Sequence, residues 1–105
     1  SWERVMEELF AEPSTTIEDF QLRLSLSYSV LVRHCREHFG KTPKRLLVEK
    51  RIAKARELLL STHYKVGIVA EMAGFSSHAQ FATTFKKETG NSPAEYRKKN
   101  RKRIR

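Results

Sequence analysis

An internal repeat constrains this chain more than any other feature of its sequence. Upstream of two equivalent serines the copies are forty-nine residues apart, and from those serines onward they are fifty apart, so the second copy has one extra turn residue within Gly74-Phe75-Ser76. Self-similarity at such a period predicts two copies of one supersecondary unit. The downstream matches pair Ser27, Leu31, Cys35, Arg36, Gly40, Thr42 and Pro43 with Ser77, Phe81, Phe85, Lys86, Gly90, Ser92 and Pro93.

Each copy carries the same helix-boundary signals. The opening serine can cap free backbone amides at a helix start, and the glycine thirteen residues later tolerates the left-handed conformation that ends many helices. The hydroxyl-proline pair that follows begins another helix, because proline at the first helical position loses no hydrogen bond. No segment alternates with the two-residue period of a strand.

These signals predict an all-α fold of seven helices, arranged as two helix-turn-helix lobes joined by a long central helix. We expect lobe one at about 1–42, a linker helix at 43–60, lobe two at 61–100 and a basic tail at 98–105. The predicted helices cover residues 2–11, 16–24, 27–39, 43–60, 66–73, 77–89 and 93–100.

The charge of the chain is unevenly distributed. Residues 1–19 hold six acidic side chains against the single Arg4, a charge of −5, whereas the remainder holds twenty basic against six acidic, a charge of +14, so the positive field belongs to the part after Asp19. A basic surface of this kind suits phosphate, although membrane-surface and other basic proteins share it. A single cysteine excludes an internal disulfide framework, and glutamates near the start argue against a signal peptide. We expect a cytoplasmic protein with no membrane partner.

The sequence of each copy predicts a helix whose outer face is available to a ligand. If Leu31 and Cys35 point inward, the opposite face of their helix holds the polar positions at i, i+3 and i+4 spacing. One such face is usually only solvated surface. Two of them on a basic chain, joined by a helix of roughly 27 Å, can place two base-contacting helices about one DNA turn apart. The outward residues are Ser29, Val32, Arg33 and Arg36 in copy one, and Ala79, Ala82, Thr83 and Lys86 in copy two.

Residues 16–97 resemble the signature of AraC/XylS-type bacterial transcription regulators. The resemblance implies recognition helices at 27–39 and 77–89 and a role in bacterial transcription. The first lobe departs from the family pattern at Gln21, Ser25 and Cys35. The matching residues are Arg51-Ile52, Ala55, Leu58-Leu59, Ala70, Gly74-Phe75, Phe81, Phe85-Lys86-Lys87, Gly90, Ser92-Pro93 and Tyr96-Arg97.

The resemblance also implies which residues meet DNA. Among the base-reading positions only Arg33 has the donor fork that suits guanine, whereas Val32 and Ala79 can contact a thymine methyl and Thr83 can add a hydroxyl contact. The base-reading set is Ser29, Val32 and Arg33 in lobe one and His78, Ala79 and Thr83 in lobe two. Basic residues beside the helix ends are expected on phosphates. They are Arg36, Lys41, Lys44, Lys65, Lys86 and Lys87.

Other functional classes find little support. His34, Cys35 and His38 lie close in sequence, but a structural zinc site needs about four ligands, so we expect no metal and no cofactor. No catalytic motif is present, and we expect no enzyme activity. Residues 97–105 contain seven basic side chains, which are either solvated or in loose contact with phosphate.

The partner expected first is double-stranded DNA. RNA polymerase and a missing effector or dimerisation domain are further expectations from the resemblance. The alternative is a protein-interaction adaptor that uses the basic helices on an acidic partner. An RNA binder is a weaker alternative, because no exposed aromatic platform for single strands is predicted.

Overall fold

The computed structural model describes Arg4, Glu8 and residues 16–101. Residues 16–101 form six helices and contain no strand, which confirms the all-α expectation. Their ends lie within one residue of the predicted ends. The helix predicted over 2–11 lies outside the described residues apart from Arg4 and Glu8, so a count of seven helices is not confirmed. The helices are α1 (Ile17–Leu24), α2 (Tyr28–Phe39), α3 (Pro43–Ser61), α4 (Val66–Met72), α5 (His78–Thr89) and α6 (Pro93–Asn100).

The chain divides into two compact units between Lys50 and Arg51, inside α3. The first unit closes around a small apolar cluster from α1, α2 and the start of α3. Phe20, Leu31 and Cys35 are fully buried there, and Leu46 and Leu47 pack against them. Burial of this apolar surface supplies the main free energy that holds the three helices together.

The second unit has an aromatic core. Phe81 of α5 lies 5.0 Å from Phe75 and 5.5 Å from Phe85 between ring centroids, and Phe85 meets Tyr96 of α6 edge-on at 5.2 Å. Tilted and edge-to-face contacts of this kind add to the area that the rings bury. The aromatic contacts therefore tie α5 to α6.

Arg97 fastens α6 to the end of α3. Its Nε donates to the carbonyl oxygen of Leu59 at 2.9 Å, and its Nη2 donates to that of Thr62 at 3.3 Å. These carbonyls lie at a helix C-terminus, where backbone acceptors lack helical partners. Burial lowers the pKa of Arg97. The sequence analysis grouped Arg97 with a basic tail that is either solvated or in loose contact with phosphate, but its guanidinium is committed to the fold.

The two helix-turn-helix turns contain the same backbone hydrogen bond. Leu26 N donates to Gln21 O at 3.1 Å, and forty-nine residues later Phe75 N donates to Ala70 O at 3.0 Å. The next equivalent residues, the N-caps Ser27 and Ser77, are fifty apart. The extra residue of the second copy is therefore Ser76.

Candidate nucleic-acid interface

The outer face of α2 carries the residues predicted for the first lobe. The hydroxyl of Ser27 caps the helix by accepting from Val30 N at 3.4 Å. Leu31 and Cys35 are fully buried, which fixes the inward face. On the opposite face the structure brings together the exposed residues Ser29, Arg33 and Arg36 and the half-buried Val32.

Arg33 remains available to a ligand on this face. Its Nε lies 3.9 Å from Glu37 Oε1, and both side chains are more than half exposed. An exposed pair at this distance contributes little free energy, so the guanidinium can exchange Glu37 for another acceptor at small cost. A planar donor fork in this position can make two parallel hydrogen bonds to one base.

The outer face of α5 has the same frame and different chemistry. Ser77 Oγ accepts from Gln80 N at 3.0 Å, and Phe81 and Phe85 are fully buried. The three residues predicted to read bases on this face, none of which is an arginine or lysine, are all exposed: His78, Ala79 and Thr83. The exposed Lys86 and Lys87, predicted to contact phosphate, follow one turn later.

The basic residues predicted to contact phosphate are all exposed, but Lys41 has an internal partner. Its Nζ donates to Glu49 Oε1 at 2.7 Å, and Arg45 Nε donates to Glu49 Oε2 at 3.1 Å. The Lys41 hydrogen bond, followed by that of Arg45, lowers the pKa of Glu49. Sequence reasoning missed Glu49, although its i, i+4 spacing from Arg45 was a signal. The phosphate candidates are Arg36, Lys41, Lys44, Lys65, Lys86 and Lys87.

Gln80 is a second residue that sequence reasoning missed. Its Oε1 accepts from the backbone N–H of Ser76 at 3.2 Å and from the Ser76 hydroxyl at 2.7 Å. The signal was the spacing of a capping box, in which a serine at the N-cap is followed three residues later by Gln or Glu. Here the glutamine reaches back one residue beyond the N-cap Ser77.

The described residues hold no group of three or more His, Cys, Asp or Glu side chains that could bind a metal ion. The rings of His34 and His38 stack with centroids 6.3 Å apart. Burial raises the pKa of the Cys35 thiol to about 11, so the reactive thiolate is scarce at neutral pH. Within the described part of the chain, no helix has the length and apolar character to cross a membrane.

Comparison with known sequences finds helix-turn-helix transcription regulators. A family profile described as a helix-turn-helix domain matches residues 22–99. The HTH-type transcriptional activator RhaS of Escherichia fergusonii is 38% identical over 92 residues, covering 88% of this chain and 33% of that protein. The HTH-type transcriptional regulator YisR of Bacillus subtilis is 36% identical over 100 residues, covering 93% and 34%. The chain therefore spans about a third of the length of these relatives.

Solved structures agree with the sequence comparison. The DNA-binding domain of AdpA, in complex with a target DNA, matches with a TM-score of 0.86 and 30% identity over 97% of this chain and 93% of that one. The C-terminal domain of the response regulator yesN from Fusobacterium nucleatum matches with a TM-score of 0.82 and 32% identity, covering 91% and 93%. Both neighbours are regulator domains of similar size to this chain.

Proposed function

This chain belongs to the AraC-type helix-turn-helix family of transcription regulators, and on that premise we propose that it binds a specific double-stranded DNA site through α2 and α5. The observation that carries the proposal is the repeated outer face: each helix buries one apolar side and leaves its polar side, flanked by basic residues, exposed. A helix with an exposed outer face of this kind fits the major groove. The AdpA neighbour, solved with its target DNA, supports this use of the fold.

In the proposed complex, α2 and α5 enter successive segments of the major groove and α3 links the two readers. Arg33 donates two hydrogen bonds to a guanine, and Val32 and Ala79 contact thymine methyls. Ser29, His78 and Thr83 add polar contacts to base edges. The basic residues at the helix ends hold phosphates and set the register on the duplex, without reading sequence themselves.

The proposal includes a biological setting. RhaS is named a transcriptional activator, and by analogy we assign this chain to a bacterial regulator that acts in the nucleoid and catalyses no reaction. RNA polymerase and an effector-sensing or dimerisation region are its proposed partners. They are partners of a whole regulator, of which relatives three times this length are examples.

Selection of bound sites from random duplex DNA tests the proposal. We expect a two-box motif with centres about one helical turn apart, because two readers on one face of the duplex meet successive major-groove segments. Affinity for the selected site should fall steeply as salt rises, since each neutralised phosphate releases counterions. No enrichment above background would favour the adaptor that binds an acidic protein.

Arg33→Ala separates base reading from phosphate binding. Loss of a guanine fork removes about 1 to 3 kcal/mol of discrimination at one position of the first box. Lys44→Ala is the matched control, because losing a phosphate contact weakens all sequences alike and reduces the salt slope by about one. If Arg33→Ala weakens every duplex by the same factor, Arg33 holds phosphate and the assignment of Arg33 is wrong.

A further inference from the structure

Gln80 combines an exposed position with an unusually constrained side chain. It is the third residue of α5, on the exposed side that also carries Thr83 and Lys87 at i+3 and i+7. In a helix-turn-helix protein the first residues of the second helix are those that contact base edges. The first copy has the half-buried Val30 at the equivalent position, which offers no hydrogen bond.

The hydrogen bonds of Ser76 decide which end of the amide is available. A backbone N–H can only donate, so the Gln80 atom that it meets at 3.2 Å must be the oxygen. The Ser76 hydroxyl donates to the same oxygen at 2.7 Å. A carbonyl oxygen has two lone pairs, and both are therefore occupied.

The nitrogen of this amide is left for a ligand. Within the part of the chain that the structure describes, its two N–H groups have no protein partner. Gln80 thus presents hydrogen-bond donors and no acceptor. The serine responsible is the one residue by which the second copy exceeds the first, so the first copy has no equivalent arrangement.

We propose that Gln80 is a specificity-determining residue that reads guanine in the box bound by α5, an inference that rests on the proposed DNA binding. In the major groove guanine offers two acceptors, N7 and O6, which match a donor-only side chain. A free glutamine favours adenine, because adenine needs one donor and one acceptor from the side chain. With its oxygen held by Ser76, Gln80 cannot supply that acceptor.

Two substitutions test the proposal by changing what the side chain can offer. Gln80→Glu keeps an oxygen for Ser76 and replaces the donors with a second acceptor, so preference at one position should change from guanine to cytosine, whose N4 donates. Ser76→Ala frees one lone pair of the amide oxygen, and adenine should gain at that same position. Each change in relative preference should be roughly 5- to 150-fold, the range of a good base contact.

Gln80→Met is the matched control, since it keeps length and neutrality without any hydrogen bond. It should lose preference at that position and gain no other base. Circular dichroism and thermal unfolding of each variant show whether α5 still forms. If Gln80 only stabilises the turn, the Gln80→Met variant should have a lower melting temperature, and all three variants should keep the base preference of the parent. That result would overturn the inference.

The parent chain distinguishes this inference from the function it rests on. If the parent chain enriches a two-box site and the variants keep its base profile, only the assignment of Gln80 is overturned and the proposed function stands. A parent that enriches no duplex removes the proposed function and this inference together.

Discussion

The two lobes build the same scaffold from differently placed side chains. Phe20 of α1 has the smaller Val69 as its counterpart in α4, whereas Cys35 of α2 has the larger Phe85 in α5, and all four are fully buried. A large residue on the first helix is thus exchanged for a large residue on the second. Each lobe therefore keeps its core volume filled, which interiors require, without keeping the identity of any one residue.

The polar contacts show the same exchange. In the first lobe Lys41 Nζ donates to Glu49 at 2.7 Å, and fifty residues later Lys99 Nζ approaches Asn91 Oδ1 at 3.5 Å. The two contacts join equivalent positions with the donor at opposite ends. The repeat therefore places the same two positions in contact while the donor and acceptor are exchanged.

The largest predicted effect tests the exchange of core volume. Cys35→Phe should overpack the first lobe and lower the free energy of unfolding by about 1 to 3 kcal/mol. Phe20→Val should leave a cavity and cost on the order of 2 kcal/mol. The double variant reproduces the second lobe's choice, and denaturant unfolding should show it at least about 1 kcal/mol more stable than the sum of the single changes implies. Strict additivity would mean that the two positions do not share space.

A second prediction concerns the equivalent positions of Leu47 in the first lobe and Arg97 in the second. Leu47 packs in the first core, whereas its counterpart Arg97 bonds two carbonyls at the end of α3. Arg97→Leu leaves the acceptors of Leu59 and Thr62 without this donor and should cost about 1 to 3 kcal/mol in urea unfolding. Lys98→Leu, on the exposed neighbour, is the control and should change stability much less. Equal losses in both variants would argue against a specific role for the guanidinium.

The turns provide a third and smaller effect. Ser25 has φ of 53° and its counterpart Gly74 has φ of 93°, both in the left-handed region that side chains disfavour. Ser25→Gly should raise the free energy of unfolding, and Gly74→Ser should lower it, each by about 1 kcal/mol. Thermal melts of both variants measure the pair. A Ser25→Gly variant that melts below the parent would show that the serine contributes more than its strained conformation costs.

The smallest effect is the acid dependence of Glu49 in the first lobe. Its pKa is lowered by Lys41 and Arg45, so the stabilisation is present above pH 4.5 and is lost as pH falls through the folded-state value. Because the pair is partly exposed, we expect under about 1 kcal/mol. Unfolding measured at several pH values between 3 and 7 should give a shallower acid loss for Glu49→Gln than for the parent. Parallel curves would contradict the prediction.

The sequence predicted the helices well because most of their ends carry local signals, although α4 has neither a side-chain cap at Lys65 nor a left-handed residue at Ala73. A capping hydroxyl, a proline at the first position or a residue in the left-handed region acts within one turn, so the observed ends fall within a residue of those predicted. The inward positions Leu31 and Cys35 followed from helical spacing, and Phe81 and Phe85 from their equivalence in the repeat. The outward faces followed from the same argument, and their DNA contacts stay predictions.

What the sequence missed depends on contacts that composition does not specify. Arg97 finds acceptors 35 and 38 residues away, which no local pattern predicts. Lys41 and Glu49 are eight residues apart, Lys41 before the start of α3 and Glu49 within it, so neither i, i+3 nor i, i+4 spacing predicts their pairing. The direction of the Gln80 amide follows from a turn residue, Ser76, whose side chain could equally have faced solvent.

The division of the two units inside α3 has a consequence for proteolysis. The second copy's last helix ends at Asn100, whose counterpart is Lys50, so the repeat ends at the same place as the first unit, yet the helix continues to Ser61. Trypsin prefers bonds after lysine and arginine, and both residues flanking this boundary qualify. Nicking needs extended, exposed backbone, which loops supply and an intact helix interior does not. The bond between Lys50 and Arg51 should thus resist trypsin although both residues are basic. Cleavage there requires α3 to unwind first.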